Sequence, residues 1–359
     1  MPPCNFAIVG PGWRTEFFLR AARALPDRFR IDGVVVRDPA RGAAFEAQWG
    51  LPTFRSTEAL LRLTRPRFAV VSVPQPAAPG VIAELAAAGM PVLSETPPAP
   101  DLEGLLRLAE LVRGGARLQV AEQYFLQPTH AARLALIAAG RIGTPSHAHV
   151  SVAHGYHGTS LIRKYLGLGF ENAAIRAQGF ASPIVASPTR AGPPDEFRIA
   201  RSEQTIATLD FGERLAVFDF TGDQYHSWIR GPRVMVRGER GEIRDDELRY
   251  LEDHRTPVTL RLLRQDAGQY ADIQGHHHLG ILAGADRVYR NPFPGARLND
   301  DEIAVAACLE GMATYVETGA DIYSFAEAAQ DQYLALSIAA ARASGEVVRT
   351  TTQPWAPQP

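Results

Sequence analysis

Lysine is almost missing from this chain: of its 37 basic residues one, Lys164, is a lysine and the rest are arginines. A GC-rich coding sequence writes arginine wherever either cation serves, so the scarcity has an ordinary cause, but it sets Lys164 apart. Cysteine is nearly as rare. Cys4 and Cys308 lie far apart and lack metal-ligand spacing, which excludes a disulfide framework and a cysteine-held zinc and fits a reducing compartment. Charge of one sign is also lacking. A formal net charge of -2 leaves no global basic field to hold nucleic acid or anionic lipid. No apolar run reaches the length of a membrane span, and Met1 to Gly12 has neither a basic n-region nor a long apolar stretch. No signal peptide is therefore expected, and these absences together point to a cytoplasmic protein without nucleic-acid or membrane partners.

What is present is enough for two cores. A length of 359 residues exceeds one comfortable hydrophobic core, and 46% hydrophobic against 21% charged residues is the balance of a soluble globular protein. Short β-branched runs at Phe6–Val9, Ile31–Val36, Phe68–Val73, from Val92, and at Leu118–Ala121 alternate with helical stretches at Thr15–Leu25, Ala40–Trp49, Thr57–Leu63, Val81–Ala88 and Leu102–Arg113. That alternation predicts an α/β fold with a parallel sheet covered on both faces, a Rossmann domain over residues 1–126. After Pro128 a helix over Thr129–Ala139 leads into alternating segments at His147–Val152, Thr205–Phe211, Leu215–Phe220 and Val234–Arg237, punctuated by glycine. These predict a second α+β domain over 127–359 with a large open, mostly antiparallel sheet. Helices are expected at Asp301–Val316 and Ser324–Ala343.

Gly10-Pro11-Gly12 follows the first strand and opens the first helix. Gly10 permits the tight turn, Gly12 lets backbone approach a pyrophosphate, and the helix N-terminus offers free N–H groups and its positive dipole end. Trp13 and Arg14 open that helix and join the candidate cofactor-binding residues. Thr15 stands where the fingerprint has Gly or Ala. The second strand ends Val35-Val36-Arg37-Asp38. An acidic residue there binds the ribose hydroxyls of NAD and an arginine meets the 2′-phosphate of NADP; with Arg37 first, the reading leans to NADP over NAD.

The stretch Pro74-Gln75-Pro76, a helix, then Gly89-Met90-Pro91-Val92-Leu93-Ser94-Glu95-Thr96-Pro97 resembles the Gfo/Idh/MocA oxidoreductases, in which a strand ends Pro-Asn and a later strand delivers Glu-Lys-Pro to the nicotinamide. Ala121-Glu122-Gln123-Tyr124 is similar to the family's Ala-Glu-Asn-Tyr, and Arg141-Ile142-Gly143 continues the likeness. The resemblance implies that Pro74, Gln75, Glu95 and Thr96 contact the cofactor, and that the second domain pairs subunits through its sheet as a homodimer or homotetramer. It also exposes departures. The family lysine, assigned to the substrate hydroxyl, is Thr96, which cannot act as a base near neutral pH. The family's Asp-x-Gly-x-His-x-x-Asp appears as Ala153-His154-Gly155-Tyr156-His157-Gly158-Thr159-Ser160, keeping the histidine and losing both aspartates.

Hydride transfer is cofactor chemistry, and the protein must position a carbon and manage one proton. His157 is the first candidate, since an imidazole titrates near neutrality. Tyr124 is the second, on a strand that the resemblance aims at the nicotinamide. Lys164 is the third. If residues 158–166 are helical, His157, Ser160 and Lys164 share a face, and lysine, unlike arginine, can be tuned toward neutrality. His154-x-x-His157 and His276-His277-His278 invite a metal reading, but no cysteine or carboxylate completes a site, so no metal is expected and the triplet reads as pocket wall or solvated turn. The expected function is NAD(P)-dependent oxidoreduction of a small polar substrate, a sugar or cyclitol derivative or a carbonyl or imine compound. A non-catalytic dinucleotide sensor or partner subunit, and a redox-neutral hydrolase or lyase that oxidises its substrate transiently, are the alternatives.

Overall fold

Short apolar runs alternate with amphipathic ones up to Val120, and each takes the form that its period dictates. The computed structural model describes residues 3–268 and 275–357. The chain runs β1 (Cys4–Val9), α1 (Thr15–Ala24), β2 (Phe29–Val35), α2 (Pro39–Trp49), β3 (Thr53–Phe54), α3 (Thr57–Leu63), β4 (Ala69–Val71), α4 (Ala78–Ala87), β5 (Val92–Ser94), α5 (Leu102–Arg113) and β6 (Leu118–Val120). These six strands form one parallel sheet in the order β3-β2-β1-β4-β5-β6, the expected Rossmann arrangement. Local signals set the helix starts. Asp38 caps α2, accepting the Arg41 N–H at 2.7 Å with Pro39 at the first turn, and Ser56 caps α3 through the Ala59 N–H at 3.0 Å.

The second half continues with α6 (Pro128–Ala138), β7 (Pro145–Ser151), α7 (Gly155–Leu166), β8 (Ala174–Val185), β9 (Ile199–Asp210), β10 (Leu215–Thr221), β11 (Arg233–Gly238), β12 (Gly241–Arg244), β13 (Glu247–Leu251), β14 (Pro257–Ala267), β15 (His277–Ala283), β16 (Asp286–Arg290), α8 (Asp300–Thr318), α9 (Phe325–Ser344) and β17 (Val348–Arg349). Its strands order as β16-β15-β14-β13-β12-β11-β7-β10-β9-β8-β17. The β7–β10 ladder is parallel, and β8–β9, β9–β10, β7–β11 and β11 through β14 pair antiparallel. This is the large, mostly antiparallel sheet read from the alternation.

Two compact units result: residues 1–128 with 265–280 and 290–329, and residues 129–264 with 281–289 and 330–359. Neither is contiguous in sequence. In the first, α8 returns to join the core of the parallel sheet, where Phe6, Ile8, Phe18 and Val70 cluster with Ile303, Leu309 and Met312. Each such side chain contributes about 1.5–3 kcal/mol by leaving water. A capping box, Asn299 with Glu302, starts α8.

Candidate functional site

In an open parallel sheet, ligands settle outside the carboxyl ends of the strands where the order reverses, which here is between β1 and β4. Gly10, at the end of β1, has φ +105°, and a Cβ on it would sit 2.2 Å from the Ser72 carbonyl oxygen. Only glycine passes that point. The Thr15 hydroxyl donates to the Gly10 carbonyl at 2.7 Å, so the residue that departs from the fingerprint, fully buried, secures the turn. A cleft of ≈ 320 Å³ opens over this turn, lined among others by Gly12, Arg37, Asp38, Arg41, Ser72 and Pro74. The cradle fits a dinucleotide: small residues where backbone must approach a phosphate, a helix N-terminus behind them, and charged side chains where an adenosine ribose would lie.

Arg37 and Asp38 lie past the end of β2 at Val35, and both are exposed. Asp38 spends one carboxylate oxygen on the Arg41 N–H. Arg41, which sequence reading passed over, lines the same cleft; its signal was its place one turn into the helix that Asp38-Pro39 announces. Trp13 is 47% exposed at the start of α1, and Gln75 lies in an exposed 3-10 turn, Gln75–Ala77.

Arg14 binds more than the opening of α1. Its Nε lies 3.1 Å from Glu95 and its Nη1 2.8 Å from Asp301 of α8. Burial alone would lower its pKa, but the two carboxylates outweigh burial and hold it above the ordinary guanidinium value. Glu95 in turn accepts the Thr96 N–H at 3.2 Å, so the Glu95-Thr96 segment is anchored to the start of α1 through Arg14. Tyr124 is not on a strand. β6 ends at Val120, and Tyr124 opens a 3-10 turn over Tyr124–Leu126, its N–H donating to the buried Glu122 at 3.2 Å. Ala121 still donates its N–H to the Ser94 carbonyl at 2.8 Å, and the ladder ends there. The Cys308 thiol is pushed well up by burial and is inert.

In the second unit α7 carries the histidine motif. His157 is 5% exposed and Ser160 fully buried; Lys164, a turn further on, is half-buried. The helix begins at Gly155, so His154 is its N-cap, yet its ring still reaches His157, with centroids 4.7 Å apart. The buried cation of α7 is Arg163, not Lys164. It pairs with Asp331 of α9 at 2.7 Å, both at most 1% exposed, and also donates to the Gly169 carbonyl. The second histidine cluster lies in the first unit, where His276 is exposed just ahead of β15, as a solvated turn would be. His277 and His278 start β15, and the buried His278 ring places Nδ1 2.8 Å from the half-buried Asp266 carboxylate. Among the described residues no three His, Cys, Asp or Glu side chains gather as metal ligands, and no helix is long and apolar enough to cross a membrane.

A further buried histidine, His130, makes the second unit sensitive to acid. His130 Nδ1 lies 2.6 Å from the Tyr165 hydroxyl and 3.2 Å from Arg133 Nη1. A guanidinium only donates, so Nδ1 is unprotonated, and burial followed by Arg133 holds the His130 pKa well below the usual value. Below about pH 6.5 the unfolded chain therefore takes up a proton that the folded one refuses. Unfolding free energy, followed by denaturant melts, is expected to be level above neutrality and to fall from about pH 6.5 to 5, before carboxylates titrate, by up to about 1.4 kcal/mol per pH unit for this group. His130→Asn should flatten that slope in part; an unchanged slope would show that the unfolded chain gains no proton at His130.

Residues 4–122 match the profile of the Gfo/Idh/MocA family, an oxidoreductase family with an NAD-binding Rossmann fold. The chain is 34% identical over 166 residues to an inositol 2-dehydrogenase of Streptomyces avermitilis, a match over 44% of this chain that spans 48% of that relative's length, about half. Solved structures share the fold over nearly the whole chain. An oxidoreductase domain protein from Kribbella flavida superposes with TM-score 0.71 at 16% identity, covering 97% of this chain and 99% of that one. A levoglucosan dehydrogenase in complex with NADH and levoglucosan superposes with TM-score 0.70 at 16% identity, again over 97% and 99%.

Proposed function

From the match of residues 4–122 to the Gfo/Idh/MocA oxidoreductase family, we propose that the chain is an NAD(P)-dependent oxidoreductase acting on a small polar substrate, a sugar or cyclitol derivative or a carbonyl or imine compound. The observation that carries this is the Gly10 turn, closed to any side chain and opening on a cleft at the reversal of strand order. When bound, the nicotinamide supplies or accepts the hydride. The backbone of Gly10 and Gly12 and the start of α1 hold the pyrophosphate. Pro74, Gln75, Glu95 and Thr96 flank the nicotinamide half, the last two fixed by Arg14. His157 holds the substrate proton, with Tyr124 as donor when a carbonyl or imine is reduced and Lys164 as the neighbouring cation on α7. A homodimer or homotetramer through the large sheet completes the reading. The missing lysine at Thr96 favours one second reading, a protein that binds dinucleotide and turns nothing over.

Arg37 and Arg41 support NADP as the coenzyme, since two guanidinium groups line the cleft where Asp38 has already given one oxygen to a helix cap. Each charge-assisted contact to a 2′-phosphate is worth about 1.5–3 kcal/mol. Arg37→Ala and Arg41→Ala should each raise KM for NADP by roughly 10- to 150-fold and leave NAD nearly unchanged. Equal losses with both coenzymes would sink the NADP preference. The activity itself is tested by nicotinamide absorbance with both coenzymes, oxidised and reduced, against sugars, cyclitols, aldehydes and imines. Tight coenzyme binding without turnover would favour the second reading.

A further inference from the structure

His157 is buried, so a proton it takes from substrate needs a way out. Its ring meets that of His154, with centroids 4.7 Å apart and planes at 52°. His154 is the N-cap of α7, and its side chain makes no cap bond there. It is exposed and lines a cavity of ≈ 480 Å³ walled by Phe218, Phe220, Ala335, Ile338 and Ala339, with Arg342 at its edge. An imidazole can take a proton at one nitrogen while releasing another from the second. We propose that His154 is a positioning residue that relays protons between His157 and this cavity. The inference rests on the reading of His157 as the group that handles the substrate proton.

The step balances with NAD(P)⁺ as oxidant. The substrate C–H hydride goes to the nicotinamide and the hydroxyl proton to His157. The proton then passes through His154 to water or buffer in the cavity, leaving a carbonyl compound, NAD(P)H and H⁺. In the reductive direction each transfer reverses. His154 does not store the proton. Although the residue as a whole is exposed, desolvation of its ring, followed by the adjoining His157, pushes its pKa down to about 3. The ring serves as a conductor in its neutral form. Tyr225, whose hydroxyl accepts the His154 main-chain N–H at 3.0 Å, holds the backbone and leaves the imidazole to its neighbour.

The test is His154→Asn in the full chain. Asparagine caps a helix well and keeps the main-chain bond to Tyr225, so the fold should stand. The solvent-exchange rate of the His157 ring N–H, followed by NMR without substrate, should slow about ten-fold or more. With a substrate in hand, kcat should drop by a similar factor, KM for the coenzyme should hold, and millimolar imidazole should restore most of the loss. Ala339→Phe added to the same variant fills the cavity and should abolish that rescue. A merely structural histidine would show neither rescue nor its loss. Unchanged exchange at His157, or a kcat loss that imidazole does not touch, overturns the relay. If the wild-type protein turns over nothing, the activity reading fails separately and the exchange measurement still decides this one.

Discussion

His157→Ala is expected to lower kcat by about 10²- to 10⁴-fold, the span over which a positioned acid or base contributes, with coenzyme affinity within about twofold of wild type. The two halves of this expectation come from different parts of the molecule. None of the residues that line the dinucleotide cleft lies on α7, so binding of the adenosine and pyrophosphate should not feel the change. The helix itself is held by other groups. Arg163 bonds Asp331 and the Gly169 carbonyl, the Thr159 hydroxyl donates to the Asp331 carbonyl at 2.9 Å, and Gly158 packs against the Phe218 ring. Loss of the imidazole should therefore leave α7 in place, which a melting curve checks. Tyr124→Phe and Lys164→Arg run alongside. Turnover by His157→Ala within about threefold of wild type would remove the histidine from the chemistry. A large loss in Tyr124→Phe or Lys164→Arg instead would transfer the role to that residue.

How far the sequence could be read follows from what each feature depends on. The parallel sheet was legible because its strands are buried on both faces and so read as short unbroken apolar runs, Phe6 to Val9 above all. The glycine turn was legible because its requirement is local. The outer strands were not. β14 alternates exposed Arg261 and Leu263 with buried Leu262, and β15 begins in a run of histidines that looks like a surface tract until Asp266 is seen beside His278. The rarity of lysine drew notice to Lys164, yet the buried cation is its neighbour Arg163, whose partner Asp331 is 168 positions away and invisible to any spacing rule. Asp38 sits between two outcomes. Its identity suggested ribose binding, whereas the Asp-Pro pair that begins α2 signals a cap, and the structure gives it that bond.

Gly10→Ala and Gly12→Ala should part in a way that tests the cleft directly. At Gly10 an added methyl group meets backbone on one side and a packed side chain on the other, the Ser72 carbonyl at 2.2 Å and Val73 Cγ1 at 2.9 Å. The Ser72 N–H bonds Val9 across the β1–β4 ladder, so relief requires those two strands to separate. The backbone conformation at φ +105° adds about 1–3 kcal/mol of strain for any residue with a Cβ. Gly10→Ala should therefore lose both stability and dinucleotide, with coenzyme Kd rising by more than about 100-fold. At Gly12 the same methyl group lies 3.6 Å from the Ser72 carbonyl, an ordinary contact, and φ is not positive. Its fold should survive with little change in melting temperature, while the methyl group stands where a pyrophosphate must come close to the backbone, and Kd should still rise by roughly 10-fold or more. Nicotinamide fluorescence titration with a melting curve on each variant reads both quantities. If Gly12→Ala binds as wild type does, the pyrophosphate does not approach this turn, and the dinucleotide must be sought elsewhere on the sheet. If Gly12→Ala loses the coenzyme while keeping its stability, the turn contacts the ligand and does not merely shape the fold.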